Sequence, residues 1–187
     1  MNQSIKNSIY SGYNKFCNLY DYFESGIATL GLISLALIMV MTTGNAVARY
    51  VIDDPISGTY ELIELYLMPM VIFLYAARLE KNNGNINVDI LYTRLPDEVQ
   101  SFINLIGRVL AFIIFGAISY IAGVKFWDGF IEGRTSVGVV EFPIYISWLI
   151  MAVGLFALAI RLVIEIRTNL VDLYTALKTD TDSEVVE

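Results

Sequence analysis

"TYELIELYLMPMVIFLYAARLEK", residues 59–81, decides the fold. Its interior, Leu65 to Ala77, contains no charged side chain. The stretch is also long enough to cross a hydrocarbon layer of about 30 Å, which takes roughly 20 helical residues. Glu61 and Glu64 open it, Pro69 interrupts it, and Arg78 and Lys81 close it. Thr59 is placed to cap a helix, with Glu61 in the first turn, where a carboxylate meets the positive end of the helix dipole. Glu64 lies one turn deeper and, at about 1.5 Å of rise per residue, stays near the headgroup boundary. Spacing by three predicts that both carboxylates share a face with Met68, Ile72 and Tyr75, which one neighbouring helix or subunit can meet. The pair has three open readings: helix-start electrostatics, an inter-helix or intersubunit contact, and ion or proton chemistry, the usual role of carboxylates that lie deep. Pro69 removes the helical bond to the Leu65 carbonyl and predicts a kink, tolerated where neighbours re-satisfy that oxygen, which can serve packing or a broken-helix substrate site, a lone proline favouring packing.

Outward from this segment, residues 26–47, 102–124 and 142–164 are apolar over similar lengths, in a chain of 187 residues that is 56% hydrophobic. With 60–79 they define an all-α membrane protein of four transmembrane helices. The stretch 26–47 starts too late and is too long for a cleaved signal peptide. Lys6, Lys15, Arg78, Lys81, Arg94, Arg108, Arg161, Arg167 and Lys178 fall on one side of such a bundle, and Arg49, Lys125 and Arg134 on the other. Because the cytoplasmic side collects positive charge, both termini are expected inside. In this topology Arg108 lies at the membrane surface opposite Glu61 and Glu64, whereas Arg49, Lys125 and Arg134 can neutralise them.

Segment 4–24 places Ile5, Ile9, Tyr13, Phe16, Tyr20 and Phe23 on one helical face, an amphipathic helix suited to the membrane interface. The connection "RLEKNNGNINVDILYTRLPDE", residues 78–98, ends the second span at Asn82–Gly84. Val88, Leu91, Tyr92 and Leu95 then repeat on one face, so a short cytoplasmic interfacial helix is expected between spans two and three. Arg108, some 10 Å into the third span, has two open readings, of which snorkelling back to the surface outweighs a specific contact. Small residues in the first span (Gly26, Ala28, Gly31, Ser34, Ala36, Gly44) and the fourth (Ala152, Gly154, Ala157, Ala159) mark helix faces able to pack closely, with Pro143 at the start of the fourth. The outer loop "KFWDGFIEGRTSVGVVEFP", residues 125–143, is the largest polar surface on its side. Residues 170–187 form an acidic tail expected to be solvated and unfolded.

Several function classes drop out. The chain has no histidine and a single cysteine, Cys17, so neither a His-ligated haem anchor nor a Cys-pair thiol oxidoreductase can be built. Cys17 reads as a small apolar helix residue. No phosphate-binding glycine loop and no nucleophile–base set is present, so no catalytic, cofactor-binding or metal-binding residue is assigned. A net charge of -7 disfavours nucleic acid as a partner.

The stretch "ARYVIDDPISGTYELIELYLMPMVIFLYAARLEKNNGNINVDIL", residues 48–91, with "LP" at 95–96, resembles the small membrane subunit of tripartite ATP-independent periplasmic (TRAP) transporters. Glu61, Glu64, Ala77, Arg78, Gly84, Ile86, Val88, Asp89, Leu95 and Pro96 fill the places of that family's motif. "GRTSVGVVEFPIYISWLIM", residues 133–151, is similar to its entry into the fourth span, and the likeness covers about 24–165. Asn85 stands where the family usually has histidine, which keeps hydrogen bonding but loses a titrating imidazole. The acids are three apart where adjacent acids are common.

The resemblance implies a scaffold that braces a large permease subunit in the bacterial inner membrane. A periplasmic binding protein would deliver an organic acid, a carboxylate or sulfonate, and sodium would drive uptake, its ions bound only on the large subunit. It also implies roles for single residues. Arg49, Glu61 and Glu64 would organise the outer end, Arg78, Asn85 and Asp89 the inner connection, and Trp127 and Arg134 contacts to the binding protein. A rival reading is an autonomous, dimeric proton-coupled carrier that titrates Glu64.

Overall fold

The computed structural model describes the backbone over residues 3–54, 56–82, 97–138 and 140–184, and side chains from residue 17 to residue 170 within those stretches, except at 97–101 and 169. Among the described residues, four long helices make up the protein. The first is Gln3–Val51, the third Asp97–Glu132 and the fourth Tyr145–Glu184. The second, Thr59–Lys81, is α-helical at Thr59–Leu62 and Tyr75–Lys81 and π-helical at Ile63–Leu67 and Met70–Leu74. All four are long and apolar enough to cross a membrane, over Cys17–Val51, Thr59–Lys81, Phe102–Glu132 and Tyr145–Thr168. The expected fold class therefore holds. The interfacial helix expected before the third span, with Asn85 and Asp89, falls outside the described residues.

Three boundaries differ from the sequence reading. No break separates segment 4–24 from span 26–47, so the first helix is one rod of 49 residues, about 74 Å long at 1.5 Å per residue. Ser25 and Gly26 do not interrupt it, because neither is a helix stop without a following left-handed cap. At the other terminus the acidic tail is helical as far as Glu184. There Leu170, Leu173, Ala176, Leu177 and Lys178 supply helix-forming residues that outweigh the acids between them. The fourth helix begins at Tyr145, and Pro143 instead joins Thr135 in a bridged turn, with Ser136 donating its N–H to the Phe142 carbonyl at 2.7 Å.

Thr59 does not cap the second helix. Gly58 precedes it in the left-handed region at φ 83°, where a Cβ would sit 2.9 Å from Val140 Cγ2, and the Thr59 hydroxyl donates back to the Ile56 carbonyl at 2.8 Å. Glu61 does occupy the first turn. Pro69 falls between the two π-helical turns, which accommodate the missing N–H by shifting the bonding pattern to wider rings. The freed Leu65 carbonyl accepts from Ser147 Oγ on the fourth helix, the kind of neighbour the sequence called for.

The helices line up as a curled row, in which the first also reaches the fourth through Tyr20, Ile27 and the Asp21 and Glu24 pairs with Arg161. The third packs along the fourth, the fourth against the second, and the second against the first. Ala77, Leu155, Ala157, Leu158 and Leu162 form the main core, with Phe73 and Phe115 against it. Small residues decide how closely the row draws together. A Cβ on Gly154 would fall 2.5 Å from the Phe73 carbonyl carbon, and one on Gly31 would fall 3.2 Å from the Met70 carbonyl oxygen. Gly26 and Gly44 face open space, so only part of the expected small-residue stripe is a contact. The first helix turns Tyr20, Glu24, Ile27, Gly31, Ser34, Asn45 and Ala48 inward, with Ile38 and Met41 half-buried between them. Steps of four and three make this a heptad seam.

Candidate functional site

Seven charged side chains from all four helices collect at one end of the row, where the second helix finishes. Asp21 and Glu24 come from the first helix, Glu80 and Lys81 from the last turn of the second, Arg108 from the third, and Arg161 and Glu165 from the fourth. Lys81 Nζ is 2.7 Å from Asp21 Oδ1, which also lies 3.4 Å from Arg161 Nη1. Arg161 Nε donates to Glu165 Oε1 at 3.0 Å, one helical turn along. Glu165 Oε2 is 3.3 Å from Arg108 Nε, and Arg108 reaches Glu80 Oε1 at 3.9 Å. The chain of pairs begins on Lys81 and ends on Glu80, so it runs through all four helices and closes on the second. Closure follows from helix geometry: adjacent residues point about 100° apart, which lets Lys81 serve the first helix while Glu80 serves the third.

Burial is deepest at Glu24, whose side chain is 0% exposed and lies 3.8 Å from Arg161 Nη1. Half-buried Arg78 also acts on Glu24 electrostatically. Counting it, Asp21, Glu24, Glu80 and Glu165 face Arg78, Lys81, Arg108 and Arg161, so the cluster is formally neutral. Neutrality matters, since a buried charge is tolerated only when paired. Tyr20 closes the cluster on the core side by donating its hydroxyl to the Ala157 carbonyl.

Away from this end, the segments 25–48, 65–77, 109–124 and 142–160 contain no Asp, Glu, Lys or Arg. Their buried hydroxyls tie helices together. Ser34 donates to the Leu30 carbonyl at 2.9 Å and lies 3.2 Å from Met70 sulfur, and Ser119 donates to the Ala152 carbonyl at 3.0 Å. At the far end, Asn45 Oδ1 accepts the Ile56 N–H at 2.9 Å, and Tyr66 donates to the Pro143 carbonyl at 2.9 Å.

The residues singled out from sequence scatter. Arg78 joins the charged cluster. Glu61 is half-buried with its Cγ and Oε1 beside Gly138, whereas Glu64 is exposed, so the two carboxylates do not share one environment. Glu61 lies under the loop at Gly138, and a π-helical turn begins at Ile63, between the two residues. Wider turns rotate the chain less per residue, which spreads positions three apart and aligns positions four apart. Arg49 is exposed, and exposed Arg134 pairs with Glu132 instead of reaching the glutamates. Trp127 is 60% exposed on a shallow apolar surface shared with Tyr120 and Phe156. Arg108 does not snorkel free, because Glu165 and Glu80 hold it between helices.

Asp21, Glu24, Glu80, Lys81, Arg161 and Glu165 were not found by motif reading. Their one sequence signal is that Glu24, Arg108, Arg161 and Glu165 sit beside or inside apolar runs, where an unpaired charge is costly.

A family model described as "Tripartite ATP-independent periplasmic transporters, DctQ component" matches residues 38–171. A Haemophilus influenzae protein that bears the name of a TRAP transporter small permease is 22% identical over 144 residues, covering 75% of this chain and 85% of that protein.

Proposed function

The chain belongs to the tripartite ATP-independent periplasmic transporters as a DctQ component, a small membrane subunit, and from that membership we propose that it works as the stationary scaffold of a sodium-coupled organic-acid importer. The observation that carries this reading is the closed run of ion pairs. At the end where the second helix finishes, Asp21, Lys81, Arg108, Arg161 and Glu165 are engaged with one another, and the middle of every described span lacks ionisable acids and bases. A transport path needs groups that bind and release; this arrangement locks four helices together. Serine hydroxyls and close-approach glycines in the middle act in the same direction, by fixing helix against helix.

On this reading a large permease subunit binds sodium and the carboxylate or sulfonate substrate and moves against this brace. A periplasmic binding protein supplies the substrate, and both termini of the brace face the cytoplasm of an inner membrane. Trp127 and Arg134 would offer contacts to the binding protein, a role that their exposure supports. The rival carrier acting through Glu64 would need that carboxylate in an enclosed path, and its side chain is exposed on the outside of the second helix. The test is sodium-gradient-driven uptake in proteoliposomes that contain the large permease with or without this chain, plus the binding protein. Uptake that requires this chain, with no uptake by this chain alone, supports the scaffold. Proton-driven transport by the isolated chain would replace it with the carrier.

A further inference from the structure

The row leaves a concave side. Between the second and third helices, over the fourth, runs a trough of about 860 Å³ lined by Phe73, Ala76, Ala111, Phe115 and Leu158, with Arg108 and Glu80 at one end. Ile72 and Leu79 also line it, so the exposed face of the second helix opens to the same side. That face carries Tyr60, Glu64, Met68 and Ile72, four residues apart and all exposed. In an α-helix such a stripe winds around the axis. Here the π-helical turns at Ile63–Leu67 and Met70–Leu74 hold more residues per turn, so the stripe runs straighter along the helix. A straight apolar ridge beside a trough is the shape that receives one further helix.

Lipid tails can fill a trough, but they leave one group unserved. Glu64 is exposed one turn inside the span, and no described side chain pairs with it. Near the headgroup boundary water can reach it, but the complement that would hold a neighbour in register is a positive charge fixed at the same depth, and an acyl chain offers none. Resting on the scaffold reading above, we propose that the π-widened face Tyr60–Glu64–Met68–Ile72 and the adjoining trough seat a transmembrane helix of the large permease subunit, which presents a basic side chain to Glu64. The chemistry recognised is thus an apolar helix with a lysine or arginine near the membrane surface at which the second helix begins.

The experiment places a photo-crosslinking amino acid at Met68 or Ile72 in the chain co-expressed with the large permease. Controls are Ile106 and Ile113, exposed and on the face of the third helix turned away from the trough. Adducts with the large subunit from 68 and 72 and not from 106 or 113 support the proposal. In this background Glu64→Lys should lower adduct yield by about tenfold or more, as expected for reversing one charge of a desolvated pair. Because Glu64 is exposed, the melting temperature of the isolated chain should stay unchanged, which separates lost docking from lost folding. Adducts from 68 and 72 with lipid or with a second copy of this chain, or large-subunit adducts from 106 and 113 instead, overturn the docking face while the complex itself stands. An unaltered yield with Glu64→Lys overturns the charge assignment. Failure of the tagged wild-type chain to recover any large subunit removes the scaffold reading as well.

Discussion

Gly154→Ala should weaken the row at its tightest crossing. The added methyl would lie 2.5 Å from the Phe73 carbonyl carbon and 2.7 Å from Phe73 Cβ, where ordinary contact starts at 3.4 Å. The second and fourth helices must therefore part by about 1 Å, in an interior packed as densely as an organic crystal. Phe73 cannot rotate away, because the obstruction includes its backbone. Overpacking of this kind costs about 1–3 kcal/mol, and the gain in helix propensity on replacing glycine by alanine offsets up to about 1 kcal/mol. An overlap this deep places the cost near the upper end, so the net loss is about 2 kcal/mol, which for a chain of this length lowers the melting temperature by roughly 4–8 °C. Gly44→Ala is the matched control, since nothing lies within 4 Å of its new methyl and only the propensity gain remains. The assay is thermal unfolding of both variants in one detergent, followed by tryptophan fluorescence. Phe73→Ala should not rescue Gly154→Ala, because the carbonyl stays in place. A Gly154→Ala protein that melts with or above the wild type would refute the close-approach argument.

Two further outcomes are expected. Arg108→Leu takes the third helix's cation away from Glu80 and Glu165, which are 16% and 13% exposed, and leaves Glu165 to Arg161. It should cost about 1–3 kcal/mol, less than for a fully buried pair; adding Glu165→Gln should recover part of that loss in a thermal melt, and a double variant no better than the single one would break the circuit as a stabilising unit. Ser147→Ala should cost about 1–2 kcal/mol by leaving the Leu65 carbonyl unsatisfied. In a Pro69→Ala background a helical N–H returns to that carbonyl, so the same change should cost less. Strict additivity in this double-mutant cycle, read from unfolding in denaturing detergent, would show that the serine does not serve the carbonyl that proline frees.

Element existence was legible in the sequence and element contact was not. Four apolar runs appear without any knowledge of neighbours, because a bilayer demands about 20 apolar residues per crossing whatever packs beside it. The same hydrophobicity hides which face is inside. On the first helix the buried seam holds Glu24, Ser34 and Asn45, while Leu30, Leu32, Met39 and Val40 are exposed. In water the polar face would lie outward; in lipid the packed face is the more polar one, so hydrophobic periodicity carries little information there. Pro69 and the need for a donor at the Leu65 carbonyl were readable, yet Ser147 as that donor was not, because the two residues are 82 positions apart. Glu61 and Glu64 read as one stripe on α-helical periodicity, and neither the loop at Gly138 that covers Glu61 alone nor the π-helical turn at Ile63 is visible in that periodicity.

The sequence alone determined the solvent, the number of crossings and the family motif from Glu61 to Pro96, since each rests on local composition or on residues in fixed order. Tertiary structure alone decided that the helices form a row, that Arg108 is held between Glu80 and Glu165, and that Lys81, Asp21, Arg161 and Glu165 continue into one closed run. Charge pairing depends on angles around helix axes and on which helix lies next to which. A list of residues specifies neither until the small side chains at Gly31 and Gly154 set how closely the backbones approach.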